Sequence, residues 1–148
     1  MDSSTRIENR IGVKATSDTI WSLVGDLATW SQWNPIETGA EGRIGYGGSV
    51  SLTEAIPGMP ERKVIGRIGD WRPYAQLIWH ERRGWQFNAM RYFEIEELVP
   101  GNCIVANGVW FGGFRGEFFH DKHRKAIKDA YIHVGEALKA AAEAIEAA

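Results

Sequence analysis

The sequence predicts an α+β fold in which a seven-stranded antiparallel sheet packs against one long C-terminal helix, with two short helices between the first and second strands. Three observations predict this fold. Apolar residues alternate near the amino terminus, as in a strand with one buried face. From about residue 37 to 113, glycines and prolines separate short segments that favour β structure. After Gly116, apolar residues recur at helical spacing.

Composition and charge favour a single soluble domain, residues 1–148, with one core. The net charge is −2, so we expect no nucleic-acid partner. No segment resembles a signal peptide, and no run of about 18 apolar residues is present, so we expect no membrane partner. Cys103 is the only cysteine and cannot form an internal disulfide, which favours a reducing cytoplasm.

The first strand is expected over residues 6–15, where Ile7, Ile11 and Val13 share one face. The polar Asn9 lies on the same face. The next residues offer hydroxyl side chains for an N-cap, followed by an apolar i, i+4, i+7 pattern. A short amphipathic helix is therefore predicted directly after the first strand.

A second short helix is predicted within the stretch "DLATWSQWNP". Asp26 can cap this helix, which carries Trp30 and Trp33. Pro35 ends it, because proline disfavours helical geometry at the residue before it. Two tryptophans on so short a helix supply more aromatic surface than it can bury by itself, so we expect them to pack on other elements.

The middle of the chain is predicted to form about six strands. Their connections are too short for a parallel crossover, which takes about a dozen residues, so neighbouring strands must run antiparallel. One helix is then predicted over about residues 117–146, with an apolar stripe formed by Ile127, Tyr131, Val134, Leu138, Ala141 and Ile145. This stripe must lie against the sheet, which is the only large partner available.

Local motifs in this order resemble the helix-grip fold of the START/birch-pollen-allergen (SRPBCC) superfamily. The opening "ATSDTIWSLVGDLATWSQWNPI" looks like that of bacterial polyketide cyclase/dehydrase-like members, and "LIW", "RYFEIE", "FGGF" and "ALKAAAE" follow in the family's order. The resemblance implies a curved sheet that wraps the long helix around an apolar cavity, with the tryptophans of the short helices capping it. The family includes cyclases, lyases and lipid carriers, so the resemblance alone does not select an activity.

Arg91 is the one charged residue on the predicted inward face of its strand, where it alternates with apolar residues in "FNAMRYFEI". A buried guanidinium needs a carboxylate, a bound anion or water. Glu81 shares a face with Leu77 and Trp79 on the preceding strand and is a candidate partner. Arg91 is therefore either an anchor for a ligand carboxylate or carbonyl, or half of an internal ion pair.

Two further site predictions depend on which way side chains face. Residues 103–111 alternate so evenly that either face could be inside, so Asn107 and Trp110 both remain candidates. His120 and His123 lie near the apolar stripe of the terminal helix. One of them could act as an acid or base at the mouth of the cavity, or both could be solvated. Their spacing alone is a very weak metal signal, and we expect no metal.

The leading hypothesis is a binder of a small hydrophobic or amphipathic molecule, aromatic or polyketide-like, without a cofactor. Arg91 and Glu81 would orient the ligand, Asn107 is a candidate pocket amide, and the aromatic contact surface would come from Trp30, Trp33, Tyr46, Trp79, Phe93, Trp110 and Tyr131. A homodimer is left open, and so is an interaction module that uses the outer face.

The alternative is a cofactor-independent enzyme of the cyclase, aldolase or dehydratase type. There Arg91 would polarise a carbonyl oxygen, and Glu81 or His120 would move the proton. A carboxylate or histidine within hydrogen-bond reach of Arg91 favours the enzyme, and a purely apolar pocket favours the binder.

Overall fold

The computed structural model describes residues 5–148. Within them the chain forms seven strands, which are β1 (Arg6–Val13), β2 (Glu37–Gly42), β3 (Ser49–Glu54), β4 (Arg62–Arg72), β5 (Gln76–Gly84), β6 (Phe87–Val99) and β7 (Asn102–Gly112). The helices are α1 (Ser17–Val24), α2 (Trp30–Trp33) and α3 (Phe114–Ala147), with a short 3-10 turn at Leu27–Thr29. This is the predicted order of elements.

The strands form one antiparallel sheet in the order β1-β7-β6-β5-β4-β3-β2. Each strand from β2 to β6 pairs with the next one along the chain, and β1 pairs with β7. The connection from β1 to β2 contains both short helices. The curled sheet holds α3 against its concave face, which confirms the predicted α+β helix-grip fold.

The face of β7 that carries Asn107 is the one that packs on α3. Asn107 Nδ2 donates a hydrogen bond to the Tyr131 carbonyl of α3 at 3.2 Å. Trp110 lies on the opposite face, where its ring meets that of Tyr92 with centroids 5.5 Å apart. The structure thus decides between the two orientations that the alternation of this strand left open.

Helix α3 begins at Phe114, three residues before the predicted start. Gly113, with φ 79°, precedes it, and a Cβ there would lie 2.2 Å from the Gln86 carbonyl oxygen. Farther along, a Cβ at Gly135 would lie 2.4 Å from Asn9 Nδ2. The glycine therefore lets α3 approach β1 closely. None of the described helices is long and apolar enough to cross a membrane.

Six of the seven tryptophans are buried or partly buried. Trp85 differs from the others, because it is 67% exposed between β5 and β6. Its ring contacts that of Phe114, which is also exposed. Trp85 and Phe114 thus form an exposed aromatic pair at the β5–β6 hairpin.

Three glutamates, Glu97, Glu143 and Glu146, tie the end of α3 and the end of β6 to the segment around the start of α1. Their carboxylates accept hydrogen bonds from backbone and hydroxyl groups. Glu143 accepts from the Lys14 N–H, and Glu146 accepts from Thr16 and Thr19. Glu97 accepts from Ser17 and from the Gly101 N–H. The Ser17 hydroxyl lies 2.9 Å from Glu97 Oε1. Two of these contacts satisfy N–H groups near the amino end of α1, which have no partner within the helix.

The stability that these three carboxylates contribute should depend on pH. The pKa of each carboxyl lies below its ordinary value, and the main causes are the Gly101 N–H for Glu97, Lys139 for Glu143 and the Thr19 hydroxyl for Glu146. A carboxyl with a lowered pKa in the folded state stabilises that state fully above its unfolded pKa of about 4.3. The stabilisation is lost as the pH falls through the lower, folded pKa.

We expect the triple variant Glu97→Gln, Glu143→Gln, Glu146→Gln to have a lower Tm than the parent protein at pH 7. The two Tm values should converge as the pH falls below about 4.3, because the parent's own carboxyls then become neutral. Thermal melts from pH 7 to pH 3 measure the difference. A difference in Tm that stays constant over this range would show that the charges of these three carboxylates do not stabilise the fold.

Candidate functional site

A small cavity lies between the concave face of the sheet and the first half of α3. Its volume is about 20 Å³, room for about one water molecule. Part of the wall is aromatic, and six of the lining side chains are carboxylates or guanidiniums: Glu37, Glu54, Glu81, Arg62, Arg83 and Arg91. The cavity is therefore smaller and much more polar than the apolar cavity that the resemblance implies.

Arg91 points inward, but its partner is Glu37. Nε donates to Glu37 Oε2 at 3.0 Å and Nη2 donates to Oε1 at 2.8 Å. Nη1 donates to the carbonyls of Tyr92 and Gly108, at 3.3 and 3.1 Å. Burial alone lowers the pKa of Arg91, but the Glu37 charge and hydrogen bonds outweigh it and the pKa is raised. The prediction that Glu81 pairs with Arg91 is wrong.

The turn after α2 aims Glu37 into the interior. The Asn34 side-chain oxygen accepts from the N–H groups of Ile36 and Glu37, at 3.1 and 2.9 Å. Asn34 Nδ2 donates to Glu37 Oε1 at 3.1 Å. Sequence reasoning missed Glu37 because β2 has no apolar alternation. The available signal was a carboxylate two residues after Pro35, at the first position of a strand.

Glu81 belongs to a second charged cluster, centred on Arg62. Strand register places Arg62 opposite Glu54, and Nε of Arg62 donates to Glu54 Oε1 at 2.9 Å. The Nη1 and Nη2 groups donate to the two oxygens of Glu81, at 2.6 and 2.9 Å. Burial tends to lower the pKa of Arg62, but the two carboxylates outweigh it and raise that pKa. One guanidinium thus bonds both glutamates, and the three side chains together carry a net charge of −1.

Arg83 is the third arginine of the cavity, and its surroundings are aromatic. Its Cζ lies 4.6 Å from the ring centroid of Phe87 and 4.5 Å from that of Phe119. Burial and the positive charge of Arg62 lower the pKa of Arg83, and the negative charges of Glu54 and Glu81 offset only part of that shift. Sequence analysis did not single out Arg83, although it continues the alternating inward face of Trp79 and Glu81.

Tyr131 covers Arg91 from the helix side. The guanidinium carbon lies 4.0 Å from the centre of the Tyr131 ring, within the range of a cation–π contact. Tyr131 is buried and lines the cavity. Burial raises its pKa despite the Arg91 charge, so the phenol is neutral at pH 7 and can donate a hydrogen bond.

Four of the predicted aromatic residues form one cluster next to the cavity. The ring centroid of Trp30 lies 5.6 Å from that of Trp79 and 5.5 Å from that of Phe93, and Trp33 packs at 5.9 Å. Of these four, Trp79 lines the cavity. Trp30, Trp33 and Phe93 do not line the cavity; they are buried core residues that pack beside Trp79.

Two predicted aromatic residues lie away from the interior. Tyr46 is 92% exposed in the connection between β2 and β3, where it contacts the edge of Trp71. Trp110 lies on the outer face of the sheet, and Arg6 lies over its ring. The predictions that Tyr46 and Trp110 line the cavity are therefore wrong. Tyr46 lies within the glycine-rich turn between β2 and β3, and the side chain of Trp110 points to the face of β7 away from α3.

The predicted polar residues Asn107 and His120 also lie outside the cavity. Asn107 is buried between β7 and α3, where it contacts the Tyr131 carbonyl. His120 is buried too, so it is not a solvated histidine. Its Nδ1 lies 2.9 Å from Asp121 Oδ1, and its ring faces a separate groove beside β1. Within residues 5–148, no three His, Cys, Asp or Glu side chains are placed to hold a metal ion.

A curled antiparallel sheet that grips a terminal helix, with a polar and aromatic site between them, is the helix-grip fold. No protein-family model and no curated protein sequence matches the chain. Several solved structures match it over almost the whole of both chains.

The Zhui aromatase/cyclase from Streptomyces sp. R1128 has a TM-score of 0.75 at 15% identity, over 93% of each chain. A START superfamily protein from Mycobacterium smegmatis has a TM-score of 0.74 at 21% identity, over 95% of this chain and 98% of that one. Protein NE0264 from Nitrosomonas europaea has a TM-score of 0.76 at 11% identity, over 100% of both chains. At these identities the likeness establishes the fold that aromatase/cyclases and START proteins share.

Proposed function

We propose that the protein binds a small aromatic, amphipathic molecule between the sheet and α3, in the cytoplasm. The observation that carries the proposal is the composition of the cavity wall, where Trp79, Phe111, Phe119 and Tyr131 meet six ionisable side chains. Aromatic walls favour a flat apolar ligand body. Charged groups are stable beside such a ligand when it also carries polar oxygens.

A ligand can enter only if part of the wall moves, because the cavity holds about one water molecule. Ile56 and Met59, on the connection between β3 and β4, line the cavity. The Met59 N–H donates to the Ile56 carbonyl at 3.0 Å, which closes a tight turn. This connection contains no strand or helix, so we place the entrance there.

Filling the cavity should abolish binding. Ala89 lines the cavity, and Ala89→Leu adds a larger side chain to a cavity that is already small. The probe is the neutral fluorescent dye N-phenyl-1-naphthylamine, measured by fluorescence titration. We expect Ala89→Leu to weaken binding about tenfold or more, that is, by at least about 1.4 kcal/mol.

Ser51→Leu is the matched control, because it adds the same side chain at an exposed position of β3. It should leave dye affinity unchanged. A folded Ala89→Leu protein with the parent's affinity would place dye binding outside this cavity. Native mass spectrometry of the freshly purified protein then identifies any small molecule that it carries.

A cyclase-type enzyme is the second candidate. Two observations favour it: the Glu37 carboxylate lies within hydrogen-bond reach of Arg91, and the neutral Tyr131 phenol lines the same cavity. In an intramolecular aldol condensation, a base removes a proton from a carbon beside a carbonyl group, and the resulting enolate carbon attacks a second carbonyl carbon. A C–C bond forms, the second carbonyl oxygen takes up a proton, and its hydroxyl then leaves as water with a second proton from the attacking carbon. Tyr131 would donate a hydrogen bond to the carbonyl oxygen, and Glu81 would accept the proton from the attacking carbon. Both side chains line the cavity.

The test uses a linear aryl poly-β-ketone, with the cyclised product measured by NMR. Tyr131→Phe should lower kcat about 100-fold, the cost of removing one hydrogen-bond donor from a developing oxyanion. Tyr92→Phe is the control, because Tyr92 lies on the outer face and its hydroxyl donates to Glu8. Equal rates with and without protein would leave the binder as the function.

A further inference from the structure

The three carboxylates of the cavity are fully used by two of its three arginines. Arg91 donates to both oxygens of Glu37. Arg62 donates to both oxygens of Glu54 and both oxygens of Glu81, at 2.6 to 3.4 Å. All six carboxylate oxygens therefore have an arginine partner. Arg62 and Arg91 each use four of their five N–H groups, so neither can offer two parallel N–H groups to a ligand anion without releasing a present partner.

Arg83 differs from the other two arginines. Among residues 5–148, no carboxylate lies within 4.0 Å of its guanidinium and no hydrogen-bond acceptor is in reach. Its contacts are the rings of Phe87 and Phe119, which stabilise a cation through cation–π attraction. Arg83 is partly buried and lines the cavity. Glu54 and Glu81 attract Arg83 electrostatically but do not bond it, so its N–H donors are free to bond a carboxylate that a ligand brings.

We propose that Arg83 is the anchor for the carboxylate of an acidic aromatic ligand. This inference rests on the proposed function and names the class of ligand. The planar guanidinium can donate two parallel hydrogen bonds to a carboxylate, a geometry that a lysine does not offer. Phe119 contacts the Arg83 guanidinium and also lines the cavity, so a ligand ring can pack there while its carboxylate reaches Arg83.

The probes are 2-naphthoate and its neutral analogue 2-naphthamide, with dissociation constants measured by isothermal titration calorimetry. The parent protein should bind the naphthoate at least about tenfold more tightly than the amide. Arg83→Gln should lose about tenfold or more in affinity for the naphthoate and less than about twofold for the amide. Arg83→Lys keeps the positive charge but not the planar pair of N–H groups. Its affinity for the naphthoate should therefore lie between that of the parent protein and that of Arg83→Gln.

Arg82→Gln is the matched control, because Arg82 is exposed on the opposite face of β5. It should change neither dissociation constant. Circular dichroism and thermal melts test whether each of the three variants is folded. If Arg83→Gln is unfolded, the affinities of Arg83→Lys for the two probes test the proposal instead.

Three results would overturn the assignment of Arg83 while leaving the cavity-binding proposal intact. These are equal affinity of the parent protein for both probes, equal losses for both probes in Arg83→Gln, and a loss of naphthoate affinity in Arg82→Gln as large as in Arg83→Gln. If the parent protein binds neither probe and also fails to bind the neutral dye, the proposed function itself is wrong.

Discussion

Arg91→Met should destabilise the protein by about 3–5 kcal/mol, because it leaves the Glu37 carboxylate buried without its counter-charge. Arg91 is 5% exposed and Glu37 is 2% exposed. Their two hydrogen bonds, of 2.8 and 3.0 Å, form the most buried ion pair among the described residues. Urea unfolding followed by circular dichroism measures the change in the free energy of unfolding.

A second substitution at the correct partner should restore much of this loss. A methionine in place of the arginine tolerates a neutral neighbour, so the double variant Arg91→Met, Glu37→Gln should be more stable than Arg91→Met alone. Glu81→Gln is the control, since Glu81 pairs with Arg62, and it should give no rescue. Rescue by Glu81→Gln rather than Glu37→Gln would contradict the pairing described above.

Trp30→Ala should destabilise the protein by a comparable amount, about 3–5 kcal/mol, because it removes a large, fully buried side chain and leaves a cavity. The Trp30 ring packs against those of Trp33, Trp79 and Phe93. Its Nε1 also donates to the Val24 carbonyl at 3.2 Å, which joins α2 to the end of α1. Chemical unfolding gives the free energy.

Trp85→Ala is the matched control for this prediction. Trp85 is 67% exposed, so its removal should change the free energy of unfolding by no more than about 0.5 kcal/mol. Trp30→Phe should lie between the two alanine variants, because it keeps an aromatic ring in the core but loses the hydrogen bond to Val24. A small effect of Trp30→Ala would mean that α2 does not hold the aromatic cluster together.

The fold was predictable because periodicity depends on local geometry. The apolar stripe of α3 and the alternation of β1 and β6 arise from 3.6-residue and two-residue repeats, which the order of residues displays directly. The Asn-Pro turn after α2 is equally local, since proline restricts the residue before it. These features suffice for an antiparallel sheet and one long helix.

The site was only partly predictable. That Arg91 faces inward follows from the alternation of β6, and the structure shows it buried. Its partner did not follow, because Glu37 lies 54 residues earlier on a short strand without apolar alternation. Arg62 and Arg83 were missed for a related reason. Each is ordinary on its own strand and becomes unusual only beside the charges of neighbouring strands.

The amino-acid sequence by itself determined the elements, their order and the inward position of Arg91, because each depends on neighbours a few residues away. Only the tertiary structure decided which carboxylate neutralises which arginine, and which face of β7 meets α3. These depend on the register of seven strands and on how closely α3 approaches at Gly135. Register brings together charges that are far apart along the chain, and Coulomb energy depends on distance in space. For that reason Arg83, flanked by two phenylalanine rings, became a candidate ligand anchor only once the sheet was assembled.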